Sequence, residues 1–160
     1  MQNSLCFLIL NFKIALGQPI QVWMIGSSLV KEAFIAAKSR PGGTSLGLGR
    51  INVSVWWLGK SGMTSRQIKS QIRMMKRFED PSHFLILHVS GNDLGAVKVG
   101  FLRNNITNII RWILKELPNT TIVWSQVLPR LNLRFSQNHK AMMSCLYRIN
   151  NTISAFALKH

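Results

Sequence analysis

A chain of 160 residues, 47% of them hydrophobic, carries enough apolar material for one packed domain and too much for a disordered one. No uninterrupted apolar stretch approaches the roughly 20 residues of a membrane-crossing helix, so a soluble globular domain without a membrane span is expected. Lys and Arg number 20 against 5 Asp and Glu, and the resulting charge of +15 predicts attraction to nucleic acid, anionic membranes or acidic partners, or else a solvated basic surface.

Residues 1–20 read as a leader. Within it, Leu5-Cys6-Phe7-Leu8-Ile9-Leu10 has the composition of a signal-peptide core, but no basic residue precedes it, Lys13 follows closely, and Ala15-Leu16-Gly17 makes only a passable cleavage site. Cys6 and Cys145 are the only cysteines, too few for a disulfide framework and without zinc-ligand spacing. An intracellular setting is therefore favoured over secretion, no metal or cofactor is implied, and the Asn-x-Ser/Thr patterns at Asn52, Asn105, Asn119 and Asn150 matter only for a secreted chain.

From residue 21 onward strand-like and helix-like segments alternate. Gln21 to Ile25 predicts a first strand; it ends at Gly26, and after Ser27 a helix opens at Ser28 and runs to Ser39, with Leu29, Phe34 and Ile35 among its apolar positions. The Ser28 hydroxyl thus stands on a sharp strand-to-helix turn, the place for a nucleophile, although a helix N-cap is the plainer role for a serine there. Arg40-Pro41-Gly42-Gly43 breaks the helix. The glycine-rich stretch that follows lacks both the Lys-Ser/Thr ending and the preceding strand of a phosphate-binding loop, and reads as a mobile connection.

Ile51 to Leu58 predicts a second strand, followed by Ser61-Gly62-Met63-Thr64-Ser65. The next helix, Thr64 to Phe78, sets Ile68, Ile72 and Met75 inward, while Arg66, Lys69, Arg73, Lys76 and Arg77 form the densest basic face of the chain. Phe84 to Val89 is a third strand of the kind buried in parallel sheets, and Ser90-Gly91-Asn92-Asp93 follows it. A helix over Phe101 to Leu117 stops at Pro118, a fourth strand over Thr121 to Val127 stops at Pro129, and a last helix starts near Asn138. Four strand–helix units without an internal repeat predict a doubly wound parallel sheet, whose ligands collect beyond the carboxyl ends of the strands near the switch in strand order. Ser28, Gly62 and Asn92 all fall there.

At these residues the chain resembles the SGNH hydrolases, or GDSL-type esterases, over Val22 to the C-terminus. Ser28 with Leu29 matches the nucleophile block, Gly62 the second block, and Asn92 with Asp93 the third; the run Gly91-Asn92-Asp93-Leu94-Gly95 is most similar to the SGNH domains of vertebrate transposable-element proteins. The resemblance implies a flavodoxin-like three-layer α/β/α fold and hydrolysis of a small carboxylic ester through an acyl-enzyme on Ser28. The oxyanion would be held by Ser28, Gly62 and Asn92, with Asp93 bracing the loop. Backbone and amide donors suit that task because the carbonyl oxygen gains negative charge as it is attacked.

Three departures from the family pattern bear on activity. Ser27 stands where the family has Asp, and Ser90 where it has Gly two residues before the Asn. The terminal Asp-x-x-His block and the strand before it are absent, so the domain over residues 21–160 is expected to be C-terminally shortened and inactive as it stands. Asp80-Pro81-Ser82-His83 matches literally but precedes the third strand and should lie on the opposite rim of the sheet; His88 reads as a packed strand histidine, His139 opens the last helix, and His160 has Ala157 in place of the required Asp. The alternative is a non-catalytic basic module from a mobile element that binds nucleic acid weakly and without sequence preference through Arg66, Lys69, Arg73, Lys76 and Arg77. The sequence leaves the oligomeric state open.

Overall fold

The computed structural model describes residues 18–129, 135 and 138–159. Four strands, β1 (Ile20–Gly26), β2 (Val53–Gly59), β3 (Phe84–His88) and β4 (Thr121–Trp124), pair in parallel in the order β2-β1-β3-β4. The first crossover moves one way from β1 and the next two move the other way, so strand order reverses at β1 and β3. This is the doubly wound arrangement that the alternating segments predict.

Parallel register fixes which side chains share a face. Trp23 pairs with Trp56 and Leu85, and Leu85 with Ile122, so these point one way, whereas Met24, Trp57, Ile86 and Val123 point the other. Trp23, Ile25, Leu85 and Leu87 pack with Ile68, Ile72 and Met75 of α2 (Ile68–Met75) and with Ile109 and Ile113 of α3 (Val99–Glu116). A second cluster joins α3 to α4 (His139–Ala157) through Leu102, Ile106, Ile110, Met142, Leu146, Ile149 and Ile153. Helix α1 (Ser28–Lys38) covers the opposite face, where the Phe34 and Trp57 rings lie 6.0 Å apart. Two helical layers thus flank one sheet, the expected flavodoxin-like three-layer architecture.

Several boundaries and one orientation differ from the sequence reading. Ile51 belongs to a 3-10 turn rather than to β2; residues 65–67 form a 3-10 turn before α2; and β4 stops at Trp124. Leu29 and Ile35 are exposed, and α1 buries Val30 and Ala37 with Phe34 half-buried between them. That set, spaced by four and three residues, is the one that the docked helix turns to the sheet. The glycine-rich connection is built from two 3-10 turns, Gly43–Ser45 and Leu48–Ile51, and Trp57 Nε1 donates to the Thr44 carbonyl at 2.8 Å, pinning it to β2. Left-handed backbone at Gly42, Gly43 and Gly47 makes these tight reversals possible and accounts for the glycine content without a phosphate-binding role.

Asn150 completes the sheet where β4 ends. Buried on α4, its Oδ1 accepts from Val127 N at 2.9 Å and its Nδ2 donates to Val127 O at 3.0 Å, which gives the departing chain the two bonds of a strand neighbour. The leader, apart from residues 18–20, lies outside the described residues, as does His160.

Candidate active site

Two glycines seat α1 on the strand ends. A Cβ at Gly26 would meet Val30 and the His88 carbonyl, and one at Gly59 would land on the backbone of Lys31. Only glycine lets the first turn of α1 sit this close to β2 and β3. Ser27 precedes the helix with extended backbone, its carbonyl accepting from Val30 N and Lys31 N, and its side chain makes no capping bond. Ser28 is therefore the first helical residue, half-buried, and its N–H is one of the donors that a helix start leaves without an intrahelical acceptor. The partial positive charge of the helix start adds to that donor. The plainer N-cap role falls to position 27, not to Ser28.

The loop after β2 turns at Gly62, which is exposed and has φ +72. The loop after β3 turns at Ser90, with φ +82, so Asn92 comes round toward the neighbouring loop. Its Nδ2 donates to Met63 O at 3.0 Å, joining the two loops across the end of β1. Beneath it the buried Asp93 carboxylate accepts from Ser65 N at 2.9 Å and from Ser65 Oγ at 3.2 Å, and Asn105 Nδ2 donates to the same hydroxyl at 2.7 Å. Thr64 and Gln67 close a capping box over this turn. Ser28 at the start of α1 and Gly62 and Asn92 on two loops thus stand at one rim of the sheet, around the reversal in strand order. Sequence reasoning does not single out Met63, Ser65 or Asn105; the Thr64-Ser65-Arg66-Gln67 capping-box pattern is the one local signal for them.

Burial pushes the Asp93 carboxyl above its ordinary value, against the opposing bonds from Ser65 and the nearby Arg66 charge. A raised pKa means that the folded chain holds this proton longer than the unfolded chain. Stability should therefore decline as pH climbs from the ordinary carboxylate value through the raised one, and level off above it. Denaturant titrations across the acid range on the parent and on Asp93→Asn are expected to differ by this declining component; parallel curves would show that Asp93 titrates normally.

Ser90 explains one departure from the family pattern. Its left-handed φ favours glycine, and its buried Oγ has no hydrogen-bond partner among the described residues. Ser90→Gly relieves both costs and gives back part of the gain as unfolded-chain entropy, for an expected net stabilisation of about 1–2 kcal/mol. A loss of stability in chemical denaturation would contradict this.

The described histidines do not approach Ser28 through any hydrogen bond. His83 Nδ1 accepts from Gln21 N at 3.1 Å at the amino ends of the strands, so the literal Asp-x-x-His match lies on the far rim as expected. His88 ends β3 half-buried, with Nδ1 3.0 Å from Ser125 Oγ, and His139 is exposed on the first turn of α4. Ser28 Oγ itself has no hydrogen-bond partner among the described residues. No group of three or more potential metal ligands occurs among them either.

No family model and no curated protein matches this chain. Solved structures do. A Streptococcus pneumonia protein provisionally named a platelet activating factor superposes with TM-score 0.63 at 19% identity, over 89% of this chain and 63% of that one. A GDSL-like lipase from Bacteroides thetaiotaomicron gives 0.60 at 14% identity over 87% and 64%, and a lipolytic G-D-S-L family protein from Veillonella parvula 0.61 at 14% over 88% and 74%. The chain has the SGNH hydrolase fold. It spans less than two thirds of the length of the first two of these neighbours.

Proposed function

We propose that this chain carries the nucleophile and oxyanion part of a serine-dependent carboxylic-ester hydrolase. Ser28 would attack a small ester, and Ser28 N–H, Gly62 N–H and the Asn92 amide would hold the oxygen that gains charge. The observation that carries this reading is the Asn92–Met63 bond, backed by Asp93 on Ser65, which sets the second and third loops against each other beside the start of α1. The narrower likeness to transposable-element domains rests on the Gly91-Asn92-Asp93-Leu94-Gly95 run alone.

An intracellular setting goes with this reading. Cys145 has no disulfide partner among the described residues, and in two of the glycosylation patterns the asparagine is bonded within the fold, Asn105 to Ser65 and Asn150 to Val127. No described helix is long and apolar enough to cross a membrane.

General-base help is worth about a hundred- to ten-thousand-fold, and no described histidine is hydrogen-bonded to Ser28. Residues 1–160 alone are expected to turn over short-chain aryl esters negligibly and to resist fluorophosphonate labelling. The check is a comparison with Ser28→Ala: hydrolysis by the parent that vanishes in the variant would mean that a base within these residues reaches Ser28.

A further inference from the structure

The outer side of the α2–α3–α4 layer concentrates positive charge on aromatic rings instead of on carboxylates. Lys69 Nζ lies 5.4 Å and Arg73 Cζ 5.2 Å from the centre of the same Trp112 ring, and Arg111 Cζ lies 5.1 Å from that of Phe156. Among the described residues the one ion pair is Lys76 with Glu116, 3.2 Å apart. Two cations gathered on one indole repel each other, and the ring's negative face offsets only part of that cost. An external anion would relieve the rest.

We infer that this strip binds the phosphate backbone of single-stranded nucleic acid. Lys69 and Arg73 stand one turn apart on α2, about 6 Å along the helix, and Arg77 follows in the turn after Met75, so a flexible polyanion can meet them in succession and continue to Arg111 on α3. Phe78, 75% exposed just beyond α2, offers an open ring for a splayed base, which a duplex with its bases stacked inside cannot use. A bilayer is the poorer fit. Membrane-surface helices turn their apolar side to the lipid, and Ile68, Ile72 and Met75 of α2 are buried in the core instead. The strip lies on the outer face of the helices and the candidate active site at the strand ends, so this inference does not depend on the esterase reading.

The test is fluorescence anisotropy of labelled oligothymidylate with the full chain over a salt series. About four phosphate contacts on a single strand give a log–log salt slope of roughly −3. Lys69→Glu with Arg73→Glu removes two contacts and should flatten the slope by about 1.4, with at least a tenfold loss of affinity at low salt. Arg111→Glu, remote from the α2 core contacts, should flatten it by about 0.7 and guards against misfolding of the double variant. Phe78→Ala should weaken binding several-fold without changing the slope. A slope untouched by both charge variants, equal affinity for a duplex of the same length, or preferential binding to phosphatidylserine vesicles would overturn the inference.

Discussion

Joining residues 1–160 to the strand and Asp-x-x-His block that typify the SGNH family is expected to raise aryl-ester turnover by about a hundred- to ten-thousand-fold. The reason is local to Ser28. Ser28 is half-buried at the start of α1 and its hydroxyl has no hydrogen-bond partner among the described residues, while the Gly62 and Asn92 donors proposed beside it belong to loops already braced by Asp93. A neutral serine hydroxyl is a weak nucleophile until a base takes its proton, so supplying one should change kcat far more than KM. Asn92→Ala in the joined protein should then cost about a hundred- to a thousand-fold in kcat through the lost amide donor. Equal losses in kcat and stability would indicate that Asn92 matters mainly for its bond to Met63.

Asn150→Ala should be strongly damaging for folding although it removes no apolar core side chain. It strips two bonds from Val127 and leaves a buried N–H and a buried carbonyl without partners, for an expected loss of about 2–4 kcal/mol. At this chain length that is a fall of roughly 10 °C in melting temperature. Asn150→Asp keeps an acceptor for Val127 N but loses the donor to Val127 O and buries a charge, and should be no better tolerated at neutral pH. Thermal melts of both variants provide the check; a change below about 0.5 kcal/mol would place Asn150 among neutral surface positions.

What is legible in the sequence and what is not divide along physical lines. Strand, turn and helix units follow from hydrophobic period and from Gly and Pro punctuation, which act within a few residues; that is why the sequence alone assigns Ser28, Gly62 and Asn92 to strand ends. The rotation of α1 escapes such reasoning because it is set by contact with Gly26 and Gly59, and period alone does not choose between Leu29 and Val30 as the buried position. The glycine-rich connection reads as mobile because its anchor is Trp57, 13 residues from Thr44. Likewise the bond from Ser65 to Asp93 spans 28 residues and that from Asn150 to Val127 spans 23. Pairings at such separations leave no local pattern. In contrast, the Gly-to-Ser departure at position 90 is visible in the sequence, and its left-handed φ supplies the reason why a glycine is the expected residue there.

Peptide mapping by mass spectrometry after fluorophosphonate treatment tests the central claim most directly, with the chain alone and the joined protein treated side by side. The proposed chemistry predicts no adduct on the chain alone and one adduct on the joined protein, at Ser28, absent in Ser28→Ala and slowed in Asn92→Ala. An adduct on a different serine, or ester hydrolysis by the joined protein that survives Ser28→Ala, would contradict it.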